Sequence, residues 1–190
     1  LCLRNPIWNL SRKPDDKTNL YKKNESINQF LRLSSFAELM LVHENSLVKV
    51  DSEIGYEQLA LLGCGITTGL GAVLRTARIN AGSTVVVIGC GGVGLNVIQG
   101  ARLSGALRII AIDTVQTKLE MAMNHGATET IDANTQNIVE NINEITNGGV
   151  DYSFDAIGAK STAEQAFDMI RPGGTATIVG LIPEGVKIEL

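Results

Sequence analysis

Thr84-Val-Val-Val-Ile-Gly-Cys-Gly-Gly-Val-Gly94 opens a segment that continues through a helical stretch to Arg108-Ile-Ile-Ala-Ile-Asp113. An apolar β-branched run leads straight into Gly89-x-Gly91-x-x-Gly94, and a second run ends in an acid 19 residues after the last glycine. Strand, tight turn, helix and strand are the setting in which this glycine spacing signals dinucleotide binding. Gly89 allows the turn off the strand. Gly91 has no Cβ, so backbone can approach a pyrophosphate. Gly94 lets the helix pack close. The helix N-terminus offers unpaired N–H groups and its positive dipole end to phosphates. Asp113 stands where a carboxylate accepts the adenosine-ribose hydroxyls. Gly89, Gly91, Gly92, Val93, Gly94 and Asp113 are therefore the candidate cofactor residues. The nearest confounder is the S-adenosylmethionine methyltransferase, which also uses a glycine loop and an acid after the second strand.

Outward from this segment, strands and helices alternate. The expected order is strand 84–89, helix 92–104, strand 108–113 and helix 116–125, stopped by Gly126 in a left-handed cap. Strand 129–132, helix 135–146, strand 150–156 and helix 161–170 follow. A turn at Pro172-Gly173-Gly174 precedes strand 175–181. Alternation of this kind predicts an α/β class fold, a doubly wound and mostly parallel sheet with right-handed crossovers. The runs Val85–Ile88 and Ile109–Ile112 are apolar on both faces, as a sheet covered on both sides requires. Five strands are expected, with a sixth at the edge lost to truncation.

Upstream, residues 1–30 read as loop, 35–43 and 46–50 as two short strands, and 56–62 and 68–77 as two helical pieces broken at Gly63-Cys64-Gly65. Residues 186–190 read as a strand. The chain starts at Leu1 rather than Met, and both ends read as artificial.

Composition narrows the function. A net charge of −4 and a pI near 5.2 speak against a nucleic-acid surface. No apolar run reads as membrane-spanning, and no signal peptide is visible. Three cysteines do not make a disulfide framework, so a cytoplasmic setting is the default. Cys90 and Met121 with Met123 read as packing groups, Asp155 as a polar strand end, and His43 and His125 as bland.

A second informative segment, Leu61-Leu-Gly-Cys-Gly-Ile-Thr-Thr-Gly-Leu-Gly71, lies before the fingerprint. Taken alone, Cys64 is a small residue at a close-packed bend. Together with the fingerprint, Asp113, Gly126-Ala-Thr128, Phe154-Asp-Ala-Ile-Gly158 and Leu181-Ile-Pro183, the segment resembles the zinc-dependent medium-chain alcohol dehydrogenases. The likeness runs from about Ser35 to Glu189.

The resemblance implies a partial β-rich, GroES-like catalytic domain over residues 1–66 and an NAD-binding Rossmann domain over 67–190. It implies an NAD-dependent oxidoreductase moving hydride between an alcohol or aldehyde and the nicotinamide, with zinc as Lewis acid. It assigns Cys64 as a ligand of the catalytic zinc and Thr68 to packing against the nicotinamide. Val93 would lie behind the ring, Lys118 against the adenosine ribose, and Ile157, Val179 and Leu181 along the nicotinamide pocket. Cys2 could be a structural-zinc ligand. The other catalytic-zinc ligands would precede Leu1, so these residues alone are expected to bind NAD without turnover. Family members are homodimers or homotetramers. Two rival readings remain: a non-enzymatic or non-functional nucleotide-binding fragment, and a zinc-free quinone reductase of the same superfamily.

Overall fold

The computed structural model describes residues 21–27, 38–39, 47–50, 53–134 and 137–189. The chain divides into two compact units, Leu1–Glu53 and Ile54–Leu190. In the first, β1 (Tyr21–Lys22) and β2 (Glu25–Ser26) pair antiparallel. Lys23 and Asn24 make the turn with φ of 48° and 69°. Two positive φ values in a two-residue turn match the twist of a hairpin, where a loop was expected. The strand expected over 35–43 and the residues Cys2 and His43 lie outside the described residues, apart from a bend at 38–39. Residues 47–50 are described and form no strand ladder.

The second unit begins with α1 (Tyr56–Ala77), a single run of 22 residues. It is not broken at Gly63-Cys64-Gly65 as the glycines suggested. Residues Leu62–Ile66 and Ala72–Ala77 wind as π-helix instead. The wider hydrogen-bond step absorbs the irregularity while the axis continues. With a mean hydropathy of 1.4, α1 is by length and composition long and apolar enough to cross a membrane; reading it as two pieces concealed this. Its inner face is nevertheless occupied by α2 (Gly92–Leu103). Ala72 and Val73 are buried, and a Cβ on Gly69 would lie 2.5 Å from Asn96 Cβ and 2.6 Å from Val93 O. Glycine permits that close crossing of two helices.

The remaining elements are β3 (Thr84–Ile88), β4 (Arg108–Asp113), α3 (Gln116–His125), β5 (Glu129–Asp132), α4 (Ile138–Ile145), β6 (Val150–Asp155), α5 (Lys160–Asp168) and β7 (Ile170–Ile178). The sheet runs β5-β4-β3-β6-β7 and every pairing is parallel. Alternate residues of one strand feed opposite cores. Val85, Val87, Ile109 and Ala111 join Val97, Ile98 and Leu119 on one face. Val86, Ile88, Ile110 and Ile112 join Ile138, Ile142, Ala166 and Met169 on the other. This two-sided burial is why the strand sequences are continuously apolar.

Three details differ from expectation. β7 starts at Ile170, because Pro172-Gly173-Gly174 loops out as an irregularity between the Val150 and Tyr152 registers. Val186–Glu189 is not a strand; the Glu189 amide donates instead to Glu164 Oε1 on α5 at 2.9 Å. Met121 and Met123 are exposed, since Leu119 and Ala122 supply the buried face of α3.

At the amino ends of the strands, Arg108 makes a two-pronged ion pair with Glu129, 2.8 Å in each prong. Asp151 accepts from the Thr84 amide at 2.8 Å and from Arg171 Nε at 2.7 Å. These pairs fasten the sheet at the end away from the cleft described next.

Candidate functional site

The strand order reverses between β3 and β6, so the chain leaves the sheet in opposite directions after these neighbours. A crevice must open at their carboxyl ends. It is a cleft of about 310 Å³, walled by Gly89, Gly91, Asp113, Lys118, Ile157 and Thr162 among others.

The glycine turn is built by contact rather than by permissiveness alone. Gly89 has φ 93° and donates its amide to Ile112 O at 2.8 Å. A Cβ on Gly94 would overlap the carbonyl oxygen of Gly89. Gly91, by contrast, has open space where a Cβ would stand, beside the first turn of α2. The turn is therefore closed on its protein side and open on its cleft side.

Asp113 is buried and carries its carboxylate to the wall of the cleft. Oδ2 accepts the Cys90 amide at 2.8 Å and Oδ1 accepts the Val115 amide at 3.0 Å. Lys118 Nζ, on the half-exposed first turn of α3, lies 3.8 Å from Oδ2. Each carboxylate oxygen retains a second lone pair for a ligand hydroxyl. Cys90 turns its thiol inward toward Ile112 O at 3.7 Å. Burial first, and Asp113 second, push that thiol up to about 12. It stays protonated at neutral pH and cannot act as a thiolate.

The remaining candidates divide into two groups. Ile157 stands in the cleft with Asp113 and Lys118, its Cγ1 2.6 Å from where a Cβ on Gly89 would be. Val179 and Leu181 do not wall this cleft, although their loop abuts the Ile157–Gly158 backbone. Val93 and Val179 pack half-buried against the same apolar core. Thr68 is exposed on α1, and the next residue, Gly69, lies against Val93 O. Leu181 is exposed, with its backbone beside Gly158.

Asp155 is the polar strand end the sequence suggested, at the last position of β6. It is fully buried, and its carboxylate accepts the amides of Ile157 at 3.0 Å and Gly158 at 3.1 Å. The local signal was an aspartate two residues before the amide it bonds, the pattern of an Asx-turn.

Cys64 lies on the exposed side of α1. Among the described residues, no three His, Cys, Asp or Glu side chains gather to hold a metal ion. The described residues thus do not by themselves fit the catalytic zinc that the resemblance implies.

A doubly wound parallel sheet with a glycine turn and an acid at the end of the second strand defines a nucleotide-binding α/β unit. Residues 92–190 match the family model described as zinc-binding dehydrogenase. The chain belongs to that family of alcohol-dehydrogenase-type oxidoreductases. It is 41% identical over 183 residues to the S-(hydroxymethyl)glutathione dehydrogenase of Saccharomyces cerevisiae, covering 93% of this chain and 47% of that protein. Among solved structures it is similar to benzyl alcohol dehydrogenase from Acinetobacter calcoaceticus. The TM-score there is 0.80 at 38% identity, over 84% of this chain and 44% of that one. It is also similar to a zinc-binding dehydrogenase from Sinorhizobium meliloti bound to NADP. That match has a TM-score of 0.64 at 35% identity, over 67% of this chain and 38% of that one. The chain spans about half the length of the curated relatives it matches.

Proposed function

We propose that this chain is the dinucleotide-binding part of an NAD-dependent oxidoreductase that moves hydride between a small-molecule alcohol or aldehyde and the nicotinamide. One observation carries the reading. The cleft at the strand-order reversal is walled on one side by an open glycine, Gly91, and on another by a carboxylate, Asp113. A pyrophosphate over Gly91 would meet the amides of the first turn of α2. The adenosine ribose would then reach Asp113 and Lys118. NAD supplies the hydride chemistry when bound; these residues bind and orient it.

Asp113 favours NAD over NADP in this reading, since a 2′-phosphate would be placed against a fixed negative charge. Thr68, Val93, Val179 and Leu181, together with Ile157 in the cleft, are the residues proposed to meet the nicotinamide. The likeness to alcohol dehydrogenases supports the substrate class, and the assignment of residues 1–66 to a catalytic domain and 67–190 to the cofactor domain rests on the same resemblance. Assembly as a homodimer or homotetramer rests on it too.

The test is titration of the purified chain with NADH and NADPH, followed by nucleotide fluorescence, with Asp113→Ala alongside. Saturable NADH binding that weakens in the variant is the expected result. No binding by a demonstrably folded chain would refute the reading.

A further inference from the structure

We infer that Asp155 is a positioning residue for the dinucleotide cleft, acting through Ile157; the inference rests on the cofactor reading above. Asp155 ends β6 beside Ile88 of β3 and Ile178 of β7. Its side chain is fully buried, yet none of its partners is a cation. Both carboxylate oxygens are taken up by backbone amides instead, Oδ1 by Ile157 at 3.0 Å and Gly158 at 3.3 Å, and Oδ2 by Gly158 at 3.1 Å. Its own carbonyl accepts the amides of Val179 at 2.8 Å and Gly180 at 2.9 Å. A single residue therefore ties the loop after β6 to the loop after β7. The two loops touch so closely that a Cβ on Gly180 would overlap the backbone of Gly158.

The consequence lies in the cleft. The loop after β6 carries Ile157, a large apolar side chain left 52% exposed. It is held over Gly89, across the cleft from Asp113. Burying an apolar face against a ligand contributes more to affinity when the side chain is already held in place, because less ordering remains to be done on binding. Two hydrogen bonds to a buried charge fix the Ile157–Gly158 backbone more firmly than a turn sequence would. An amide in place of the carboxylate keeps an acceptor for Ile157 but sets an N–H donor opposite the Gly158 N–H. The loop then shifts, and Ile157 moves with it.

The experiment is an NADH titration of the whole chain by nucleotide fluorescence, at a temperature below the melts of all variants. Wild type, Asp155→Asn, Ile157→Ala and the double variant are compared. Asp155→Asn is expected to weaken NADH about tenfold, as is Ile157→Ala, and the double variant is expected to bind no more weakly than either. A role confined to stability would lower the melting temperature and leave the affinity of the folded protein unchanged. Wild-type affinity in Asp155→Asn overturns the inference, as does a full additional loss when it is combined with Ile157→Ala. If Asp155→Asn does not fold, Asp155→Ser, which keeps one acceptor for the Ile157 amide, takes its place in the same cycle. Unchanged affinity in Ile157→Ala overturns the inference by itself. Absence of NADH binding by folded wild type overturns the cofactor reading instead, which separates the two failures.

Discussion

The amide of Cys90 donates to Asp113 Oδ2 at 2.8 Å, so the acid at the end of β4 holds the glycine turn at the end of β3. Asp113 thus has work to do before any nucleotide arrives. It fixes the turn whose open side is proposed to take the pyrophosphate, and its remaining lone pairs face the cleft. Preorganisation of this kind lowers the cost of ordering the loop on binding.

Replacing Asp113 by Ala therefore removes two things at once. The Cys90 and Val115 amides lose a charged acceptor, and each such bond contributes about 1.5–3 kcal/mol. The expected outcome is a loss of about 2 kcal/mol or more in denaturant unfolding, together with weaker NADH binding. Wild-type stability with weakened binding would leave Asp113 a ligand contact only and would remove the fastening role.

Gly91 and Gly94 sit three residues apart and should respond oppositely to the same methyl group. At Gly94 the added Cβ overlaps the Gly89 carbonyl, so Gly94→Ala is expected to shift the helix and lower stability by about 1–3 kcal/mol. At Gly91 it meets nothing in the protein, so Gly91→Ala is expected to melt like wild type. Yet that methyl group points where the pyrophosphate should lie, and NADH affinity is expected to fall tenfold or about that. Thermal melts and titrations of the pair decide it. Unimpaired NADH binding in Gly91→Ala would place the phosphates elsewhere.

Much of the cofactor unit was legible because its signals are local. β-Branched runs, glycine punctuation and the acid at the end of β4 gave five parallel strands, four of them with close to their observed bounds. What escaped depended on contacts distant in sequence. Gly63-Cys64-Gly65 reads as a break because each glycine costs about 1 kcal/mol in a helix. The packing of Gly69 and Val73 on α2 outweighs that cost, and α1 runs through. The methionines of α3 were read as core because apolar content was weighed without the helical face that Leu119 and Ala122 occupy. The fastening of Cys90 by Asp113 spans β3 and β4 and has no sequence signature. The approach of Ile157 to Gly89 likewise joins the loops after β6 and β3, which lie far apart in the chain.

Acid should loosen the amino-terminal end of the sheet. The Thr84 amide first, and Arg171 second, hold Asp151 below its usual carboxylate value, and Arg108 does the same to Glu129. A carboxyl lowered in the folded state stabilises the fold fully above its unfolded pKa, roughly 4. That contribution disappears as pH falls through the folded value. The melting temperature is therefore expected to be flat near neutrality on this account and to drop on acidification. Asp151→Asn should start lower at neutral pH and decline less steeply in acid. An identical acid limb in wild type and variant would show that Asp151 does not contribute to it.

Cofactor choice can be tested where Asp113 meets Thr114. Thr114 is exposed at the wall of the cleft, and its carbonyl accepts from Asn134 Nδ2 at 2.9 Å, a bond that survives a change of side chain. Asp113→Ser with Thr114→Arg removes the charge that would oppose a 2′-phosphate and supplies a guanidinium that can grip one. The ratio of NADPH to NADH affinity is expected to rise by about a hundredfold, since each tenfold step needs only about 1.4 kcal/mol. Absolute affinity for both nucleotides should fall, because serine cannot hold the Cys90 amide as the carboxylate does. Parallel titrations with the two nucleotides read both effects. An unchanged ratio in the folded double variant would mean that Asp113 does not face the adenosine ribose, and the orientation proposed for NAD in the cleft would be lost with it.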